Sequence, residues 1–348
     1  MVYVSTQSLS TASRQTLMQT QSDLAKAQQE LSSGKLADVG LGLGARSSSL
    51  ISLDQENVRL QAISTGNTTA STRLSATVSA LNTLQGTAQS LLSQLLTANP
   101  DSQSINAVKL SGQGNLGALI SVLNTTVAGQ YIFGGINTGQ TPIAPYTASP
   151  ASATKTAVDA SFASTFGFSQ DSPSAAGIDG PSLKAYLDGP FAAQFAPAAF
   201  QTSWSAASSQ AQTSEIAPGE TATTSVSANA SAFGKLAQAY TMITEFTGKE
   251  FSADANHAAI NSAAALVNSA MTDLTNLNVG VGISQVAVTD ANSRISTQMD
   301  LLSSSSDSLI GVDTFALSTR LSMLQTQITA SYELTSKLQQ LSLVNYLR

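Results

Sequence analysis

Residues 311–348 read GVDTFALSTRLSMLQTQITASYELTSKLQQLSLVNYLR. Leu317, Leu321, Leu324 and Ile328 step by four, three and four residues, and the same register passes Ser331 and Thr335 before it reaches Leu338 and Leu341. That alternation marks a helix with one narrow apolar seam. Ser, Thr, Gln and Asn cover the rest of it, so the helix needs a partner to be stable in water. At the other end of the chain Leu17, Leu24 and Leu31 fall seven residues apart, with Leu9 in near register before them and Ala27 between. The two ends are expected to pair as a long antiparallel helical bundle or coiled coil. The fold class that follows is mainly α.

A chain of 348 residues is long enough for about two or three packing units. Only 10% of its residues are charged and 5% aromatic, while small polar residues are abundant. Such a composition suits long helices with narrow seams better than the thick core of an enzyme. The net charge of -6 gives no electrostatic reason to expect nucleic acid or an anionic membrane as partner. Cysteine is absent, which excludes disulfides, thiolate metal sites and cysteine nucleophiles together. No run approaches the roughly 18 to 20 apolar residues of a bilayer span. The opening MVYVSTQSLSTASRQ has no charge before Arg14 and no continuous apolar block, so a cleaved secretory signal is not expected.

A first helix is expected over about residues 5–33, closed by Gly34 as a left-handed cap. The following LADVGLGLGARSSS reads as a bend. Gly40, Gly42 and Ala45 match the spacing of a dinucleotide-binding loop, but that loop needs a buried strand before it, and here an amphipathic helix precedes. No cofactor is expected. Helix resumes over about 47–96, in one element or two, with a seam of Leu74, Val78, Leu81, Ala88, Leu92 and Leu95 and Gln85 as its polar member. Another is expected over about 104–128.

The pattern changes at GQYIFGGINTGQTPIAPY, where a short β-prone run, a glycine turn and Pro142 and Pro145 replace the helical period. Most of the prolines, Trp204 and a series of phenylalanines lie between there and Pro218, which predicts short strands and loops around an aromatic cluster. Helices then follow from about 227, over about 253–277, and from about 283 to 309, with a break expected at Asn278 to Gly282. The resulting division is 1–35 with 311–348 as a terminal coiled coil, 36–135 with 227–310 as a helical body, and 136–226 as an inserted, small β-rich outer domain.

ELSSGK at Glu30 to Lys35, GQYIFGGINTGQTPI at Gly129 to Ile143, and STRLSMLQTQITASYELTSKLQQLSLVNYL at Ser318 to Leu347 resemble the flagellin superfamily of bacterial flagellar axial proteins. Within it, LSLVNYL and the STRL-x-x-LQTQ-x-x-ASY run are most similar to the hook-associated protein 3 branch, the hook-filament junction proteins. The resemblance covers the ends and the entry to the insert, and not about residues 146–219. It implies paired terminal helices in an innermost tube, an outward-facing insert, and terminal segments that fold on assembly after type III export. It also implies a homo-oligomeric ring or helical assembly, with hook-associated protein 1, flagellin and a flagellar export chaperone as partners, outside the cell. Leu9, Leu17, Leu24 and Leu31 on the N-terminal helix, and Leu317, Leu321, Leu324, Ile328, Leu338 and Leu341 on the C-terminal one, are the expected assembly contacts. Flagellins usually carry an Asp-rich stretch after the SSGK-like turn; here Asp38 stands alone.

Catalysis has little to stand on. His257 is the only histidine, which leaves no triad, His-based zinc site or HExxH motif. Asp159, Asp171, Asp179 and Asp188 in the insert read as solvated loop carboxylates, without EF-hand spacing. No enzyme and no metal are expected. Beside the junction reading stand a filament flagellin and, from another class, a surface adhesin or glycan-binding protein that uses Trp204 and the phenylalanine-rich insert.

Overall fold

The computed structural model describes residues 6–98, 102–148 and 150–346. In order they form α1 (Thr6–Ser33), α2 (Val39–Leu43), α3 (Ser47–Thr97), α4 (Ser102–Leu123), β1 (Thr126–Val127), β2 (Gln130–Tyr131), α5 (Ala153–Phe166), α6 (Gly180–Tyr186), α7 (Pro197–Ser203), β3 (Thr213–Ala217), β4 (Glu220–Thr223), α8 (Ser231–Phe246), α9 (Ala253–Ile310) and α10 (Thr314–Tyr346). Short 3-10 turns at Gly44–Arg46 and Pro173–Gly177 and a π turn at Leu187–Phe191 complete the described elements. The protein is mainly α, with helical terminal segments, and its strands form two antiparallel pairs, β1 with β2 and β3 with β4. Two compact units result: residues 1–61 with 296–348, and residues 62–295.

In α9 the expected break at Asn278 to Gly282 does not occur. Ile260, Val267, Leu274, Val281, Val288 and Ile295 are all buried, each seven residues from the next, and Val281 carries the seam straight through the glycines. Gly280 and Gly282 each cost the helix about 1 kcal/mol relative to alanine. A continuous buried seam outweighs that cost, because each buried aliphatic side chain contributes about 1.5–3 kcal/mol.

Along α3 the buried stripe is wider than the expected one. Leu74, Leu81, Ala88 and Leu95 form one seven-residue series, and Ala70, Thr77, Leu84 and Leu91 interleave as a second. Val78 and Leu92 pack at its margin. Side-chain hydrogen bonds Ser64 to Asn292 (2.8 Å), Gln285 to Ser75 (3.2 Å) and Asn278 to Asn82 (2.8 Å) join α3 to α9 at matched antiparallel levels. Uncharged polar pairs thus set this register.

Helix α8 sits at the centre of unit 62–295, buried on nearly every side, and packs on α4. The close approach requires Gly112, since a Cβ there would meet Ile243 Cγ2 at 2.5 Å. The inserted stretch contributes the hairpin β3–β4 and also helices α5, α6 and α7. Where short strands and loops were expected, Pro181 and Pro197 start helices, at first-turn positions of α6 and α7. A first-turn proline loses no hydrogen bond, because its missing N–H would have had no helical partner.

The β1–β2 turn places Ala128 at φ 50° and Gly129 at φ 78°. An alanine in the left-handed region strains its Cβ against the backbone by roughly 1–2 kcal/mol. Ala128→Gly relieves this but frees the unfolded chain, so the expected net gain is about 0.5–1 kcal/mol, read as a higher urea midpoint at unchanged slope.

Candidate assembly interface

The assembly candidates concentrate on α1 and α10, which pack against each other within unit 1–61 with 296–348. Their relative direction follows from the turns that end one and begin the other. Leu36 N donates to Ile310 O (2.9 Å) and Val312 N donates to Gly34 O (3.1 Å), so the end of α1 lies beside the start of α10. Gly34 takes φ 68°, the left-handed cap expected there, and Lys35 adds an ion pair to Asp307 at 2.8 Å. Farther along, Gln21 Nε2 donates to Tyr332 Oη (2.9 Å). The pair is therefore antiparallel.

On α10, Leu317 is buried and Leu321, Leu324, Ile328, Ser331 and Thr335 are half-buried, all on one stripe. Among the described side chains of α1, Thr20 and Ala27 are the buried ones, with Leu17 and Leu24 half-buried beside them. Leu31 lies at the edge, 36% exposed. The side chains of Leu9, Leu338 and Leu341 lie outside the described residues.

Both helices also carry apolar groups away from this seam. Phe315 is 82% exposed, Met323 67% and Met18 66%. The hydroxyls around them are already satisfied: on α10, Ser318, Ser322, Thr326 and Ser331 each donate to the carbonyl four residues earlier, at 2.8–3.1 Å. A hydroxyl bonded inside its own helix can be covered by a neighbour without leaving an unpaired donor. The polar-looking face of α10 is thus chemically able to be buried.

The bend after α1 holds no strand. Asp38 caps α2 by accepting from Leu41 N (3.0 Å), and Gly42 lies against Leu36, where a Cβ would meet Cδ1 at 2.7 Å. It is a packing turn.

In unit 62–295 three of the insert carboxylates have structural tasks. Asp179 caps α6, Asp188 pairs with Lys184 along the helix, and Asp159 accepts from Lys155 Nζ (2.9 Å) and Gln170 Nε2 (2.6 Å). Beside Asp159, the nearly buried Glu245 accepts from Tyr146 Oη (3.0 Å) and Lys155 Nζ (3.1 Å). No group of three or more His, Cys, Asp or Glu able to hold a metal occurs among the described residues. Nor is any described helix long and apolar enough to cross a membrane. Trp204 is 3% exposed, stacked between Tyr146 and Phe200, and Phe162, Phe191 and Phe200 are buried with it in the core.

Burial pushes the Tyr186 phenol up to about 12, and burial followed by the charge of Glu245 raises Tyr146 as well. At Lys155 burial acts downward, but the hydrogen bonds to Asp159 and Glu245 outweigh it and raise the pKa. Groups raised on folding contribute stability that is whole below their unfolded values and lost above them. For Tyr186 the window runs from its ordinary 10.0 to about 12. Unit 62–295 is expected to lose stability progressively across that window, read as a falling urea midpoint; a midpoint that stays constant there would contradict the linkage.

The bacterial flagellin N-terminal helical region matches residues 4–138 and the bacterial flagellin C-terminal helical region matches residues 264–347, together more than half of the chain. The chain belongs to the flagellin superfamily: it is a structural protein of the bacterial flagellum, in a family exported from the cell whose members assemble into polymeric flagellar structures. Among solved structures it is similar to Bacillus cereus FlgL, at 11% identity over 74% of this chain and 99% of that one, with a TM-score of 0.49. It is also similar to a structure described as a flagellar hook-associated protein from Vibrio parahaemolyticus, at 13% identity over 74% of this chain and 97% of that one, with a TM-score of 0.41. No curated protein matches it in sequence.

Proposed function

We propose that the chain is a hook-filament junction adaptor, seated between hook-associated protein 1 and flagellin, that assembles by coupled folding of its terminal helices and catalyses no reaction. The observation that carries this reading is the α1–α10 pair itself. It buries one partial stripe and leaves Phe315, Met323 and Met18 exposed on helices whose hydroxyls are internally satisfied. Half-buried leucines contribute less than the 1.5–3 kcal/mol of full burial, against roughly 1–2 kcal/mol per residue of backbone ordering. The free pair is then near balance, and contacts from neighbouring copies tip it. Leu17, Leu24, Leu317, Leu321, Leu324 and Ile328 serve within each pair; the exposed apolar residues face neighbours. Before assembly, an export chaperone would cover the same ends.

Residues 1–35 and 311–348 would line the inner tube, 36–135 and 227–310 the helical body, and 136–226 the outer domain. The adhesin reading loses the observation that raised it, since Trp204 and its phenylalanine neighbours are buried in a core. Immunogold electron microscopy with antibodies to the insert tests the assignment. A single band where hook meets filament supports the junction role. Labelling along the filament makes the chain a flagellin, and labelling of the cell body alone overturns the flagellar placement.

A further inference from the structure

Helix α9 is apolar on two opposite faces. Val281 and Val288 are buried, while Val279, Ile283 and Val286, four and three residues apart, are 58%, 67% and 60% exposed. The same four-three register extends outward through Asn276 to Thr272 and on to Asp290, all of them exposed. A helix with apolar groups on both sides is one that is covered on both. Thr272 on this stripe, with Thr275 and Thr289 beside it, donates to the carbonyl four residues earlier at 2.9–3.3 Å. Covering the face therefore strands none of these hydroxyls.

A second exposed four-three stripe lies on α4, through Gln103, Ala107, Leu110, Gly114, Gly117 and Ser121, opposite its buried Ile105, Val108, Leu116 and Leu119. Gly112 on this helix makes room for Ile243, but a Cβ at Gly114 or Gly117 meets nothing within 4 Å. These two glycines weaken the helix, and no contact inside the chain uses the space they leave. They form a trough. The α9 stripe is a ridge of β-branched side chains with the same seven-residue spacing, Val279 to Val286 against Leu110 to Gly117. Residues 274–289 hold no charged side chain, and Lys109, the one charged residue of α4, lies off the stripe in an ion pair with Glu250 at 3.0 Å. Interface cores are depleted of charge in this way. In a chain of net charge -6, copies repel one another least where neither stripe is charged.

We infer that the α9 ridge of one copy packs into the α4 trough of the next, a contact between helical bodies that rests on the flagellar assembly proposed above and extends it beyond the terminal helices. Two different stripes that fit each other join head to tail, which closes a ring or extends a filament. The test uses flagella isolated from cells whose full chain carries photoreactive benzoylphenylalanine in place of Ile283. Irradiation is expected to yield a covalent pair of copies, linked within residues 102–123 of the second. Linkage to a different protein, or none, overturns the self-contact. Gly114→Leu fills the trough and Ile283→Glu places a charge on the ridge; each should lower the amount of chain retained in isolated flagella at least about tenfold. Gly86→Leu, on α3 with equally open space and outside both stripes, should leave it unchanged. Leucine favours helix over glycine, so the purified Gly114→Leu chain should unfold at a temperature no lower than the parent's, which separates a blocked contact from misfolding. Retention of both stripe variants at the Gly86→Leu level overturns the inference and leaves the assembly reading standing, whereas absence of the parent chain from flagella removes both.

Discussion

A chain that ends at Thr314, without Phe315 to Arg348, is expected neither to polymerise nor to restore swimming to a strain that lacks the full protein. The deletion removes nearly all of α10, and with it the surface against which Thr20, Ala27, Leu17 and Leu24 pack. Helix α1 has 28 residues and few charged pairs of its own, so without a partner stripe it falls near the margin of stability for an isolated helix. Far-UV circular dichroism should therefore show helicity lost beyond the residues deleted, by as much as the length of α1. Unit 62–295 should keep its own unfolding transition, since its core is complete without α10. Truncated chains that still form filaments or rings in electron micrographs would sink the coupled-folding mechanism.

The largest loss of stability from a single substitution is expected at Phe162→Ala. The Phe162 ring lies 5.5 Å from Phe246 in a stacked pair, 5.5 Å from Tyr186 edge-on and 4.7 Å from Phe166, and the side chain is wholly buried. Removing it takes away apolar burial and leaves a cavity between α5, α6 and α8, at a cost of about 3–5 kcal/mol. Against a domain stability of about 5–15 kcal/mol, that is a large fraction. Urea unfolding followed through Trp204 fluorescence reads it as a lower midpoint; a shift below about 1 kcal/mol would mean that the neighbouring rings collapse into the space.

The aromatic cluster is also where reading the sequence met its limit. Trp204 and the phenylalanines marked a packed unit but not its form, and their spacing carries no period that separates a helix from a loop. Pro181 and Pro197 can start α6 and α7 because a proline forbids a helix only behind it, not in front of it. At Gly280 and Gly282 local propensity argued for a break, while the seven-residue series from Ile260 to Ile295 argued for continuity, and burial prevailed. That series was available in the sequence as a signal. The second stripe on α3, through Thr77, Leu84 and Leu91, was legible in the same way.

By itself the sequence determined that the chain is built of long helices, that both ends carry seams, and where α1 stops. Those features are local: a four-three repeat needs only the helical period, and Gly34 needs only its own backbone freedom at φ 68°. Its terminal motifs also determined the superfamily. Only the tertiary structure decided that the α3 and α9 seams meet, that Trp204 is core rather than surface, that Asp159 and Glu245 share Lys155, and that small residues rather than Leu31 form the centre of the α1 contact. Each of these depends on a partner distant along the chain. The free energy of burial belongs to the pair of surfaces and not to either stretch alone.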